Sequence, residues 1–178
     1  MRNSGNLAFL DLEMTGLDPQ RDAILQAALI ITDRNLVALD EYCCDVWQPE
    51  SALELMSPFV RDMHEKNGLI ARVRASRIDI RDAQRQLLSR VAALCEHPAV
   101  LCGSSIWVDR MFVDRHMPGF AGYLHYRMID VSSLKLVVER WFGPSAAFQK
   151  SAAGEHDALV DIRNSIAELR HYRGLLVK

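Results

Sequence analysis

Three β-rich runs come before any helical periodicity in this chain, and that order restricts the fold more than any other feature of the sequence. Leu7 to Glu13 reads as a strand, Ile24 to Thr32 as a second, and about Leu36 to Trp47 as a third that follows the turn-forming Asp33-Arg34-Asn35. Short connections of this kind make the opening antiparallel. Helical spacing begins afterwards, around Leu53 to His64, and then over about Asp79 to Glu96, where Leu87, Leu88, Val91, Leu94 and Cys95 recur along one face and Asp79 with Asp82 forms an N-terminal cap. Ala99 to Cys102 is a further apolar run ended by Gly103; Ser104 or Ser105 is positioned to cap a helix after it. Helices are expected over about Ser132 to Trp141 and Asp157 to Tyr172, separated by the loop Gly143 to Gly154. Antiparallel strands followed by strands alternating with helices describe an α/β domain with a mixed sheet.

With 178 residues, one domain over 1–178 is expected, with residues 1–6 as an unstructured N-terminus. The 49% hydrophobic and 25% charged content excludes a disordered chain. No run of about 18 apolar residues and no signal peptide is found, which predicts a cytoplasmic protein without membrane contact. Four cysteines, Cys43, Cys44, Cys95 and Cys102, lack metal-ligand spacing and read as reduced thiols. A net charge of −2 argues against binding long duplex nucleic acid, since that affinity comes from many basic contacts to phosphate. The locally basic stretch Arg61 to Arg90 is most simply a solvated helix surface.

Residues two apart in a strand face the same side, so Asp11 and Glu13 project together with Leu7 and Phe9 while Ala8, Leu10 and Leu12 face the other way. Two carboxylates held side by side repel, which raises one pKa unless a divalent cation or a protonated partner balances them, and the spacing asks for a metal. An isolated D-x-E is commonly a pair of solvated acids, but here it runs directly into the Gly/Pro-punctuated loop Met14 to Pro19, as a substrate-facing sheet end would. Asp109 lies beyond the run at Ala99 to Cys102, with Ser105 and Phe112 on its helix face; taken alone it reads first as a surface or first-turn charge. On the last helix Ala158, Ile162, Ile166, Leu169 and Tyr172 form the buried stripe, Asp161 borders it and Asp157 points further out. His156 precedes that helix, where a lone histidine is commonly structural or solvated.

Taken together, DLEMTGLD from Asp11, GSSI with Asp109-Arg110 and Phe112, HYRMIDVSSLK from His125, and HDALVDIRNSIAEL from His156 stand in the order and spacing of one family. From Leu7 to Tyr172 the chain resembles the oligoribonucleases, a branch of the DEDDh 3′→5′ exonuclease superfamily with an RNase H-like fold. The resemblance implies a mixed sheet of three antiparallel strands and then parallel strands, flanked by helices. It implies two divalent cations, Mg²⁺ or Mn²⁺, on Asp11, Glu13, Asp109 and Asp161, and His156 as general base. The implied reaction is hydrolysis of very short single-stranded RNA, dinucleotides above all, to nucleoside 5′-monophosphates.

Substrate-gripping positions of the family fall on Leu17 as a wedge between bases, Phe59 (in place of the usual Trp) and His64 as stacking rings, and Ser105, Arg127 and Ser132 as a cap on the 5′-phosphate. Tyr126 matches a residue that a neighbouring subunit contributes, which implies a homodimer. As plainer readings, Leu17 and Phe59 could be core residues and Arg127 could pair with Asp130. The chain departs from the family at Gln26 for Glu, Ser104 for Asn, Trp107-Val108 for Gly-Gln, and Lys66-Asn67 beside His64 for small residues, and none of these removes a metal ligand. Two rivals stand against this reading. A DNA-directed or proofreading-type DEDDh exonuclease would lack the cap that Arg127 and Ser132 represent, and a dinucleotide-binding protein without catalysis would not need all five catalytic groups.

Overall fold

The computed structural model describes residues 2–149 and 157–177. One five-stranded sheet organises them, in the order β3-β2-β1-β4-β5. Its strands are β1 (Leu7–Met14), β2 (Ile24–Thr32), β3 (Ala38–Asp45), β4 (Ala99–Gly103) and β5 (Leu124–Asp130). Between β3 and β4 lie α1 (Glu50–Leu53), α2 (Pro58–Lys66), α3 (Leu69–Ala75) and α4 (Ile80–Leu94). Helices α5 (Trp107–His116) and α6 (Pro118–Ala121) follow β4, and α7 (Val131–Phe142) and α8 (Ala158–Leu176) complete the chain. β1 pairs antiparallel with β2 and parallel with β4, β2 pairs antiparallel with β3, and β4 pairs parallel with β5. The mixed sheet expected from the sequence is the one observed.

Apolar side chains explain why β1 is central. Ala8, Leu10 and Leu12 enter a core with Leu87, Val91, Phe112 and Phe120 of α4, α5 and α6, whereas Phe9 enters a second core with Val138, Ile162 and Tyr172 of α7 and α8. Both faces of the sheet are therefore covered, and all nine residues of β2 are buried. A third cluster, Leu25 with Leu53, Met56, Leu69, Ile70 and Val73, seats α1 and α3 at the end of β2 that lies nearest the acidic residues. Among the described residues no helix is long and apolar enough to cross a membrane, and all four cysteines are free thiols.

Local chemistry accounts for the departures from the sequence reading. The single helix expected over Leu53 to His64 is broken between α1 and α2, because Pro58 cannot donate to a continuing helix and biases Ser57 to extended backbone. Ser57 then caps the new helix by accepting from Val60 N at 3.3 Å. Neither Ser104 nor Ser105 caps α5: Ile106 occupies that position without a side-chain bond, and Ser105 adopts a positive φ of 52°. β5 has no sequence alternation because it is an edge strand with Tyr126 and Arg127 exposed. The N-terminal segment, expected to be unstructured, is tied to the end of α4 where Asn3 bridges Cys95 and the Asn6 amide donates to Leu94 O at 2.8 Å. The basic residues after Arg61 are largely neutralised by Glu65, Asp62, Asp45, Glu50, Asp82 and Asp40, in keeping with a solvated surface.

Gly103, where β4 gives way to the α5 segment, is closed in from both sides. A Cβ there would lie 2.8 Å from the Leu10 carbonyl oxygen and 2.9 Å from Ile106 Cδ1. Backbone of the central strand cannot yield as a side chain can, so Gly103→Ala is expected to lower unfolding free energy by about 1–3 kcal/mol, read as a drop in the urea midpoint.

Candidate metal centre and substrate groove

β1 delivers the first two carboxylates. Its alternation leaves Asp11 half-buried and Glu13 buried on the face covered by α8, one step beyond Leu7 and Phe9. The third, Asp161, comes from the first turn of α8, whose stripe of Ala158, Ile162 and Ile166 packs against that same face. One carboxylate oxygen from each of Asp11, Glu13 and Asp161 lies within 4.8 Å of the others, and among the described residues this is the group able to hold a metal ion. Asp109 stands outside it. It is buried on α5, and its Oδ1 accepts from Leu12 N at 2.9 Å, between the two acids of β1.

Burial and like charge determine the protonation of this cluster. Glu13 is pushed up from its ordinary value of 4.5 to about 8, chiefly by burial and then by the charges of Asp161, Asp109 and Asp157. Asp109 is also raised by burial, opposed by the bonds from backbone amides of Leu12 and Asp109. Three acids meet and Asp109 lies close enough to add its charge to Glu13, and hard oxygen donors of this kind fit a divalent cation. Asp157, expected within the last helix, precedes it with extended backbone, is exposed, and caps α8 through Leu159 N and Val160 N. His156 lies outside the described residues.

Around the carboxylates, the positions expected to grip substrate divide into three kinds. Leu17 and Phe59 are 73% and 77% exposed, which excludes the core reading for both. His64, expected as a stacking ring, has no exposed surface; its Nε2 lies 3.1 Å from Met14 O and docks α2 on the end of β1. Ser105 and Ser132 meet where β5 passes into α7, and Arg127 stands exposed earlier on β5. Ser105 Oγ donates to Ser132 Oγ at 3.2 Å, and Arg127 lies 5.1 Å over the Tyr126 ring rather than pairing with Asp130.

Two organising acids escaped the sequence reading. Asp130 caps α7 through Ser132 N and accepts from Ser105 N at 2.9 Å, so one carboxylate sets both serines. Asp22, almost wholly buried, accepts from Asp18 N at 2.9 Å and shapes the loop that presents Leu17. For Asp22 the signal is burial of a charged residue, and for Asp130 it is a carboxylate shared by two distant amides; neither is visible before the chain folds. Gln26 was legible only as an unusual residue; in the fold its side chain bonds Asp45 and the start of α8.

Residues 8–169 match the family model described as Exonuclease. The chain is 43% identical to an oligoribonuclease of Pseudomonas paraeruginosa, covering 100% of this chain and 99% of the relative. It is 45% identical to the oligoribonuclease of Dichelobacter nodosus, over 97% and 96% of the two chains. Among solved structures, Escherichia coli exonuclease I in complex with a dT13 oligonucleotide superposes with a TM-score of 0.76 at 14% identity, covering 98% of this chain. This chain spans 42% of that longer protein, so the likeness concerns the fold.

The raised carboxyl of Glu13 makes stability depend on pH in a definite direction. Between its ordinary 4.5 and about 8 the folded, metal-free protein holds a proton that the unfolded chain has released. Stability must therefore fall as pH rises through that window. Thermal unfolding of the metal-free protein across this range should show a decreasing midpoint, and Mg²⁺ or Mn²⁺ should restore it most at the alkaline end.

Proposed function

This chain belongs to the exonuclease family, among the oligoribonucleases, and on that premise we propose that it removes nucleotides from the 3′ end of very short RNAs, dinucleotides above all, releasing nucleoside 5′-monophosphates. The observation that carries the reading is the meeting of Asp11, Glu13 and Asp161 in a chain similar to oligoribonucleases over its whole length. A DNA-directed, proofreading-type activity is not favoured by that similarity.

In this reading Asp11, Glu13, Asp109 and Asp161 hold two divalent cations, Mg²⁺ or Mn²⁺. When bound, the cations activate water and offset charge on the leaving 3′-oxygen. His156 takes the proton of the attacking water, a task suited to a group that titrates near neutrality. The buried flank of the site, Phe9 and Ile162, excludes bulk water from one side and strengthens the pull of the cations on phosphate.

Substrate length is read at the other end. Leu17 enters between the bases and Phe59 gives a stacking surface, both already turned to solvent. Ser105, Ser132 and the Arg127 guanidinium take the 5′-phosphate, and a longer RNA loses those charge-assisted bonds because its strand continues through the cap. Tyr126, 74% exposed, serves the site of a neighbouring subunit in a homodimer. His64 acts by holding α2, and with it Phe59, against β1. A cytoplasmic place, where short RNA fragments arise, accords with this activity.

The test compares a dinucleotide, a trinucleotide, a heptamer and a long RNA, each with and without a 5′-phosphate, in Mg²⁺ or Mn²⁺. The 5′-phosphorylated dinucleotide should be consumed fastest, and faster cleavage of the long RNA refutes the reading. His156→Ala should reduce turnover by roughly 10²–10⁴ while Mn²⁺ and dinucleotide binding persist. Arg127→Ala should weaken dinucleotide binding by about 1.5–3 kcal/mol, measured by titration, and the loss should vanish when the 5′-phosphate is removed.

A further inference from the structure

We propose that Gln26 is a positioning residue that sets the first turn of α8, and thereby the placing of Asp161 against Asp11 and Glu13. The inference rests on the reading of those three acids as the cation-holding group. Gln26 lies in β2, whose residues are all buried, and is itself 4% exposed. It pairs across the sheet with Glu13 on one side and with Asp45 on the other. A polar side chain in such a place must find partners, and it finds two. Its Nε2 donates to Asp45 Oδ1 at 2.7 Å, and its Oε1 accepts from Ala158 N at 3.4 Å.

The second bond matters because of where Ala158 sits. The first N–H groups of a helix have no acceptor within it. Asp157 serves those of Leu159 and Val160, and that of Ala158, a residue with no exposed surface, is turned to Gln26. Asp161 follows three residues later, with its own N–H on Asp157 O at 2.9 Å. Rotation or sliding of α8 would break the Gln26 bond and carry Asp161 away from β1.

With Asp45 opposite, an amide suits this junction better than the Glu common in the family, since one end donates to that carboxylate and the other accepts from Ala158 N. A carboxylate at position 26 would face Asp45 without a proton to give and add charge opposite Glu13. Asp45 is itself held, its Oδ2 accepting from Arg72 Nε at 3.2 Å while Arg72 Nη1 donates to Asn67 O at 3.0 Å. The line of bonds thus runs from the α2–α3 junction, through Asp45 and Gln26, to the start of α8.

The experiment measures Mn²⁺ affinity by calorimetry and dinucleotide turnover for the whole protein, for Gln26→Leu, for Gln26→Glu, and for Gln26→Glu combined with Asp45→Asn. Gln26→Leu and Gln26→Glu should each weaken Mn²⁺ binding and lower kcat by about 10–100-fold, with the dinucleotide KM little changed. The double variant should recover most of the loss, because the new amide at position 45 donates to the new carboxylate, which still accepts from Ala158 N. Wild-type Mn²⁺ affinity in both single variants, or a double variant no better than Gln26→Glu, overturns the proposal. If Gln26→Leu does not fold, the comparison of Gln26→Glu with the double variant decides alone. Should the wild-type protein leave dinucleotides uncut while Mn²⁺ affinity still follows this pattern, the positioning role stands and the substrate reading fails.

Discussion

Repulsion among crowded, partly buried carboxylates is the constraint around which this protein is built. Asp11, Glu13 and Asp161 bring oxygens within 4.8 Å of one another, and Asp109 adds its charge to Glu13 from α5. The arrangement is imposed by apolar packing: β1 is held between two cores, one under α4–α6 and one under α7–α8, and the acids continue the strand face on which the second core ends at Phe9. The energy stored in the repulsion is the same energy that a divalent cation recovers on binding.

Helix geometry moderates that cost. Asp109 and Asp161 both lie in the first turns of their helices, α5 and α8, where the backbone dipole is positive and carboxylates are favoured. Asp109 gains further by accepting from Leu12 N, which fastens α5 to the strand between the two acids it supports. Strand residues and helix first turns thus meet at the C-terminal end of the central strand, as ligand sites in α/β folds commonly do. The exposed residues proposed to grip substrate are built differently. Leu17, Phe59 and Arg127 stand exposed on a loop, a short helix and an edge strand, and are steadied by Asp22, His64 and the Tyr126 ring.

Much of this was legible in the sequence where a simple period governs. The two-residue repeat of β1 placed Asp11 and Glu13 on one face, and the 3.6-residue repeat of α8 separated the inward Asp161 from the outward Asp157. Legibility failed where a single residue or a distant partner decides. Pro58 interrupts a helix whose hydrophobic spacing continues through it. Ser105 gives its hydroxyl to Ser132 and its N–H to Asp130, 25 residues away, and so cannot cap the helix it precedes. The ring of His64 matched a stacking position, yet its burial turns it into a structural tie.

By itself the sequence determined the class of fold, the carboxylates and the family, because strand order, periodicity and motif spacing are properties of the chain read in one direction. Only the tertiary structure decided how the acids divide, three in close contact and Asp109 braced behind Leu12, and which residues hold them there. Gln26 and Ala158 are 132 positions apart and share a bond only because β2 and α8 pack on opposite sides of the same junction. Contacts of that kind are set by the closing of the whole sheet under its helices, and no local pattern encodes them.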